Sequence, residues 1–198
     1  MGGMRVIIFS GFLGSGKTSV LLSLAKNFIV RSSRVVIIEN EIGDVDIDGS
    51  YLAKQGLHVQ KLFGGCICCT LSAGLVETIN QVETRYRPDT VLVEATGLAR
   101  PGDMVRTIRQ YIKTISDIKV VTVIDAVRFT DLRTMLSALI DAQIEAADYL
   151  LLNKTDMVNT ENAGAIESEL RGINPTARFF STSALNGDCT DGLLEGIQ

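Results

Sequence analysis

Near the start of the chain, Gly11-Phe-Leu-Gly-Ser-Gly-Lys-Thr18 has the spacing G-x-x-x-x-G-K-[ST], which suits a loop that wraps a phosphate chain. Gly11, Gly14 and Gly16 free the backbone to turn its N–H groups toward one polyphosphate, and Ser15 and Ser19 complete the binding set. Lys17 supplies charge for the β- and γ-phosphates, and the Thr18 hydroxyl is a ligand for Mg²⁺. The alternative is a chance glycine-rich turn. The flanks argue against it: Val6–Phe9 is an apolar run suited to a buried strand, and Ser19–Ala25 suits a helix whose positive end adds to the anion site.

Further chemistry sits at the ends of other apolar runs. Glu94-Ala-Thr-Gly97 follows Thr90–Val93, so Glu94 is placed to hold Mg²⁺ and Gly97 to bring its N–H to the γ-phosphate, against a plain helix-start acid with a turn glycine. Asn153-Lys-Thr-Asp156 follows Tyr149–Leu152 and has the N-K-x-D pattern that selects guanine. The Asp156 carboxylate accepts two hydrogen bonds from the guanine edge, which adenine cannot donate, while Asn153 braces the loop and the Lys154 stem covers the base. Taken alone, four such residues also make an ordinary turn. Ser183-Ala184, after the last strand, suits a backbone contact to the guanine oxygen or, equally, a simple turn.

Two segments suit metals. Cys66, Cys68 and Cys69 place three thiols within four positions, a set for a soft ion such as Zn²⁺ or Cu(I) completed by a ligand from elsewhere. Buried small hydrophobes and a redox pair are the alternatives. Glu39-Asn-Glu-Ile-Gly-Asp44 follows the second apolar run and offers Glu39 and Asp44 to Mg²⁺ or a second metal, or forms a solvated loop. His58 on its short alternating run reads as a surface residue, Cys189 as structural, and Arg100, Arg106, Arg109 and Lys113 as a solvated helix face.

The elements that must position these residues are legible as alternation. Near-continuous apolar runs at Val6–Phe9, Val35–Ile38, Thr90–Val93, Val120–Ile124, Tyr149–Leu152 and Arg178–Ser181 read as strands covered on both faces. Between them, Leu75, Ile79 and Val82; Met104, Val105, Ile108 and Ile112; Phe129, Leu132, Leu136 and Leu139; and Ile166, Leu170 and Ile173 have helical spacing. This pattern predicts an α/β fold, a mostly parallel sheet with helices on both faces. Residues 41–70 break the pattern and read as an insertion carrying a small strand or hairpin at His58–Leu62.

The 198 residues suit one domain, and 46% hydrophobic with 21% charged residues suits a globular core without disulfide staples. A net charge of −4 argues against nucleic acid as a partner. No apolar run approaches the roughly 18 residues of a membrane span, and no secretory signal opens the chain, so the expected setting is cytoplasmic.

Together, Gly11–Thr18, Glu39-Asn-Glu-Ile-Gly43, Gly65-Cys-Ile-Cys-Cys69, Glu94-Ala-Thr-Gly-Leu-Ala-Arg-Pro101, Ile124-Asp-Ala126, Ala147-Asp148 and Asn153–Asp156 resemble the GTPase domain of the CobW-type metallochaperones, relatives of UreG and HypB. The resemblance covers residues 6 to about 185. It implies a P-loop NTPase fold over residues 1–198, Mg·GTP binding, slow hydrolysis to GDP and a transition metal, Zn²⁺ or Co²⁺, on the cysteine motif. It further implies coupling of metal affinity to nucleotide state, a client metalloprotein or a cobalamin-related pathway, and a homodimer as an assembly to test. The chain departs from the pattern in lacking a second C-terminal domain and a His-rich tract, and in having Ser19 where a second Thr is usual. An ATP-dependent kinase or ligase and a non-catalytic, nucleotide-gated metal-binding module are the rival readings.

Overall fold

The computed structural model describes residues 3–31, 33–39, 57–61, 70–183 and 190–197. Seven strands form one sheet: β1 (Met4–Ser10), β2 (Val35–Glu39), β3 (Leu57–Lys61), β4 (Thr90–Glu94), β5 (Ile115–Asp125), β6 (Tyr149–Asn153) and β7 (Arg178–Ser181). Their order is β3-β2-β4-β1-β5-β6-β7, and every pairing is parallel. The helices are α1 (Lys17–Val30), α2 (Thr70–Tyr86), α3 (Pro101–Tyr111), α4 (Phe129–Glu145), α5 (Thr160–Ile173) and α6 (Thr190–Ile197), with a one-turn 3₁₀ helix at Thr155–Met157.

Side-chain alternation along the strands feeds both faces. Ile7, Phe9, Ile37, Leu92, Val121, Val123 and Leu151 pack with α1 and α6 through Leu21, Leu24, Phe28, Leu193 and Ile197. Val6, Ile8, Ile38, Val91, Val93 and Val120 pack on the other side with Leu75, Ile79 and Val82 of α2 and Ile108 of α3. Beyond them, Ile124, Leu150 and Leu152 pack with α4 and α5 through Ile140, Ile144, Ile166 and Leu170. Burial on both faces is why these strands read as unbroken apolar runs.

Of the two forms expected for the short run at His58, a small strand or a hairpin, the structure shows a strand: among the described residues, Leu57–Lys61 pairs parallel to Val35–Glu39 at the edge of the main sheet. Period-2 alternation is the same for both, so the choice rests on which strand lies alongside. In α4, the expected stripe Phe129, Leu132, Leu136 and Leu139 is interrupted at Leu136 (φ −135°, ψ 38°), and the second half of the helix buries Ile140, Gln143 and Ile144. α5 ends at Asn174, whose side-chain amide donates to the carbonyls of Ile144 and Ala147 at 2.8 and 2.9 Å, tying α5 to the end of α4.

Candidate nucleotide site

The site begins where β1 ends at Ser10 and α1 starts at Lys17. Gly11, Gly14 and Gly16 between them have φ of 128°, 73° and 98°, values that favour glycine. Space makes the same demand: a Cβ on Gly11 would meet the Val123 carbonyl at 2.2 Å, and one on Gly16 would meet Asn153 Nδ2 at 2.3 Å.

Four successive loop carbonyls are held by side chains, the first from within the loop and the other three from outside it. Lys17 Nζ donates to Phe12 O (3.3 Å), Arg128 Nη2 to Leu13 O (2.6 Å), Lys154 Nζ to Gly14 O (2.8 Å) and Asn153 Nδ2 to Ser15 O (2.8 Å). In a trans peptide the C=O and the following N–H point opposite ways, so each grip turns one N–H to the other side of the loop. The Ser15 N–H closes a turn onto Phe12 O at 3.2 Å. The Ser15 hydroxyl is buried with no hydrogen-bond partner among the described residues, a donor available to an anion.

At the other side of the loop, Thr18 Oγ1 donates to Glu94 Oε1 at 2.6 Å. Glu94 ends β4 and is 3% exposed. Glu39, ending β2, lies directly across from it in register, so the two acids share the carboxyl edge of the sheet beside the phosphate loop. A hydroxyl and a buried carboxylate are hard oxygen donors and fit Mg²⁺. Gly97 packs so closely on the loop that a Cβ there would stand 2.7 Å from Leu13 N.

The N-K-x-D segment leaves β6 at Asn153, which is buried. Lys154 adopts φ 62°, a strained conformation for a side chain of its type, and is held there by Gly14 O and by Asp125 Oδ2 at 2.7 Å. Asp156 is exposed on the 3₁₀ turn. Thr155 fastens that turn to the strand beyond through N and Oγ1 bonds to Thr182 O (3.3 and 3.0 Å). Ser183 beside it is buried, with its hydroxyl unpartnered among the described residues.

Asp125 is the residue the motif reading left without a role. It ends β5 with a fully buried carboxylate that accepts from Lys154 Nζ, from Arg128 Nε at 2.8 Å and from the Val127 N–H at 3.0 Å. Burial pushes its pKa up, and the hydrogen bonds and charges of Lys154 and Arg128 outweigh this and hold it below the usual carboxylate range. Asp125 thus joins Lys154 of the N-K-x-D segment to Arg128, which grips the phosphate loop at Leu13. The sequence signal was the Ile124-Asp-Ala126 motif; Arg128 carried none.

Cys66, Cys68, Cys69, Asp44, Ala184 and Cys189 lie outside the described residues. Among the described residues, no three metal-ligating side chains cluster, and no helix is long and apolar enough to cross a membrane.

The phosphate loop is thus bonded both to the N-K-x-D segment and to the acidic end of β4. Residues 5–181 match the family described as CobW/HypB/UreG, nucleotide-binding domain. The chain belongs to that family. Curated relatives of this CobW-type domain include the zinc-regulated GTPase metalloprotein activator 1 of Schizosaccharomyces pombe, 33% identical over 90% of this chain and 45% of the relative. The zinc chaperone YjiA of Escherichia coli is 28% identical over 98% of this chain and 61% of the relative. The CobW-type chain spans about half the length of the curated relatives it matches. Its fold is the P-loop NTPase fold. The hydrogenase maturation factor HypB of Archaeoglobus fulgidus superposes with a TM-score of 0.70 at 15% identity, over 99% of this chain and 91% of that one. Zn(II)-bound YjiA GTPase from E. coli gives 0.68 at 23% identity, over 91% and 57%.

Proposed function

We propose that this chain is the GTP-binding and GTP-hydrolysing domain of a metallochaperone, carrying a transition metal on its inserted segment. The bonds from Asn153 and Lys154 to the Ser15 and Gly14 carbonyls carry this reading. An ordinary polar turn after β6 has no need to grip the phosphate loop, whereas a base reader must be set at a fixed distance from the phosphates. Gly11, Gly14, Ser15, Gly16, Lys17, Thr18 and Ser19 hold the phosphates. Asp156 selects guanine, and Ser183 and Ala184 line the base. Thr18 and Glu94 would hold Mg²⁺, which would supply positive charge to neutralise the phosphate oxygens. Lys17 adds a fixed charge at the transferring group, and Gly97 offers its N–H there.

The metal is cargo. Cys66, Cys68 and Cys69 are its proposed thiolate ligands, with Glu39 and Asp44 as oxygen donors, and Zn²⁺ is favoured because curated relatives of the domain are named for zinc. Delivery to a client metalloprotein in the cytoplasm follows from this reading, and Co²⁺ for a corrinoid-related client is the variant of it. Competition for Zn²⁺ or Co²⁺ against a chelator, in GDP and in a non-hydrolysable GTP analogue, tests the whole. Metal affinity should differ between the nucleotides by a coupling of about 1–3 kcal/mol and collapse in Cys66→Ser/Cys68→Ser/Cys69→Ser. Equal affinity in both nucleotides would leave a GTPase whose cysteines have no part in its cycle. A competition series in which ATP displaces the guanine probe as well as GTP does would remove the guanine reading.

A further inference from the structure

Gln143 lies on the inner face of α4, between Ile140 and Ile144, and is 1% exposed. Its side-chain Nε2 donates to two carbonyls of one loop, Gly97 O at 3.1 Å and Ala99 O at 3.0 Å. Its own backbone carbonyl accepts from Thr122 Oγ1 of β5 at 2.9 Å. The residue is therefore fixed to the sheet on one side and to the loop after Glu94 on the other. That loop is itself turned, with the Ala99 N–H bonded to Thr96 O at 3.0 Å, and it touches the phosphate loop at Leu13. Leu13 is in turn held by Arg128, the residue that caps the start of α4. One helix thus grips both loops, and between its two grips the backbone leaves helical geometry at Leu136.

We propose that Gln143 is a positioning residue for the triphosphate state: its amide sets the Gly97–Ala99 segment so that the loop's N–H groups meet the γ-phosphate. The inference rests on the GTP-binding reading above and names a residue that no motif in it contains. A buried carboxamide among isoleucines is a poor choice for packing, since an apolar side chain of that size would bury without desolvating a dipole. Its presence is explained by the two loop carbonyls to which it donates. A planar peptide held at its carbonyl cannot rotate, so the N–H groups of Leu98 and Arg100 are set by Gln143, and the Thr96 carbonyl, held by the Ala99 N–H of the same turn, sets the N–H of Gly97. GDP lacks the γ-phosphate, so its grip on the phosphate loop does not depend on this setting.

The test is Gln143→Met, near in shape and without donors. Affinity for GDP should change less than about twofold, while that for a non-hydrolysable GTP analogue and the kcat of hydrolysis should each fall about tenfold. Thr122→Val is the matched control: it removes a hydrogen bond to the same residue, lowers the melting temperature, and should keep the wild-type ratio of the two affinities. In the unmodified protein, the Gln143 side-chain amide resonances should move between the GDP and GTP-analogue forms, a readout that needs no variant. An unchanged affinity ratio and kcat in Gln143→Met, or amide resonances indifferent to nucleotide, would overturn the proposal alone. A wild-type protein that binds neither guanine nucleotide would overturn it together with the reading beneath it.

Discussion

Thr18 Oγ1 and Glu94 Oε1 lie 2.6 Å apart although 76 residues separate them in the chain. The bond is an O–H donated to a buried carboxylate, which makes it short and strong. It joins the first turn of α1 to the end of β4, the two elements that would together hold the proposed cation. Glu94→Gln keeps the shape and removes the charge. It should lower kcat by about two orders of magnitude and raise the Mg²⁺ concentration needed for half-maximal rate, with GDP still bound. An unaltered Mg²⁺ titration would exclude Glu94 from the metal site.

Lys17 is 3% exposed, and its ammonium lies within the loop, on Phe12 O. Lys17→Ala should weaken a fluorescent GTP analogue by about 10- to 100-fold, the value of a charged hydrogen bond to phosphate. The circular dichroism spectrum should be retained. Equal affinities in the two proteins would remove the phosphate loop from the mechanism.

Asp156 is exposed on its turn, so Asp156→Asn should alter stability by no more than about 0.5 kcal/mol. Base choice should change far more. GTP should bind about 100-fold more weakly and xanthosine triphosphate more tightly, because the amide donates where the carboxylate accepted. The relative displacement of a labelled probe by the two triphosphates decides it, and unchanged GTP binding would relocate base recognition.

Asp125 gives the domain a defined response to acid. Its carboxyl is held below the usual range by Lys154 and Arg128 against the opposing effect of burial. The folded chain therefore binds this proton less readily than the unfolded one. The stabilisation is present above the unfolded value of about 3.9 and is lost as pH falls through the folded value. The exposed Asp89, lowered by hydrogen bonding to Arg34, has the same sign, so the informative quantity is the difference between variant and wild type. Asp125→Asn should cost about 1–3 kcal/mol at neutral pH. Urea midpoints at neutral pH and at about pH 3.5 should differ less in the variant than in the wild type. Parallel pH profiles would show that the Asp125 charge does not hold the two cations.

What could be read from the chain is what is local to it. The loop Gly11–Thr18 is contiguous, and its glycines state their backbone demands directly, so strand, loop and helix fell where expected. Glu94, Asn153 and Asp156 each follow an apolar run, and a run of that kind ends at the carboxyl edge of a parallel sheet wherever the strand sits. The N-K-x-D segment and the phosphate loop were thus recognisable as separate parts.

How those parts are joined was decided only in three dimensions. Arg128 reaches Leu13 across 115 residues and Lys154 reaches Gly14 across 140, because β1, β5 and β6 are consecutive in the sheet. Apolar periodicity fixes which residues of a strand are buried but is indifferent to which strand lies alongside. For the same reason β3 could not be told from a hairpin, and nothing in the apolar spacing of α4 singled out Gln143. The sequence by itself determined the chemistry at each strand end; the order of the strands determined which of those ends share a carboxylate, a carbonyl and a phosphate site.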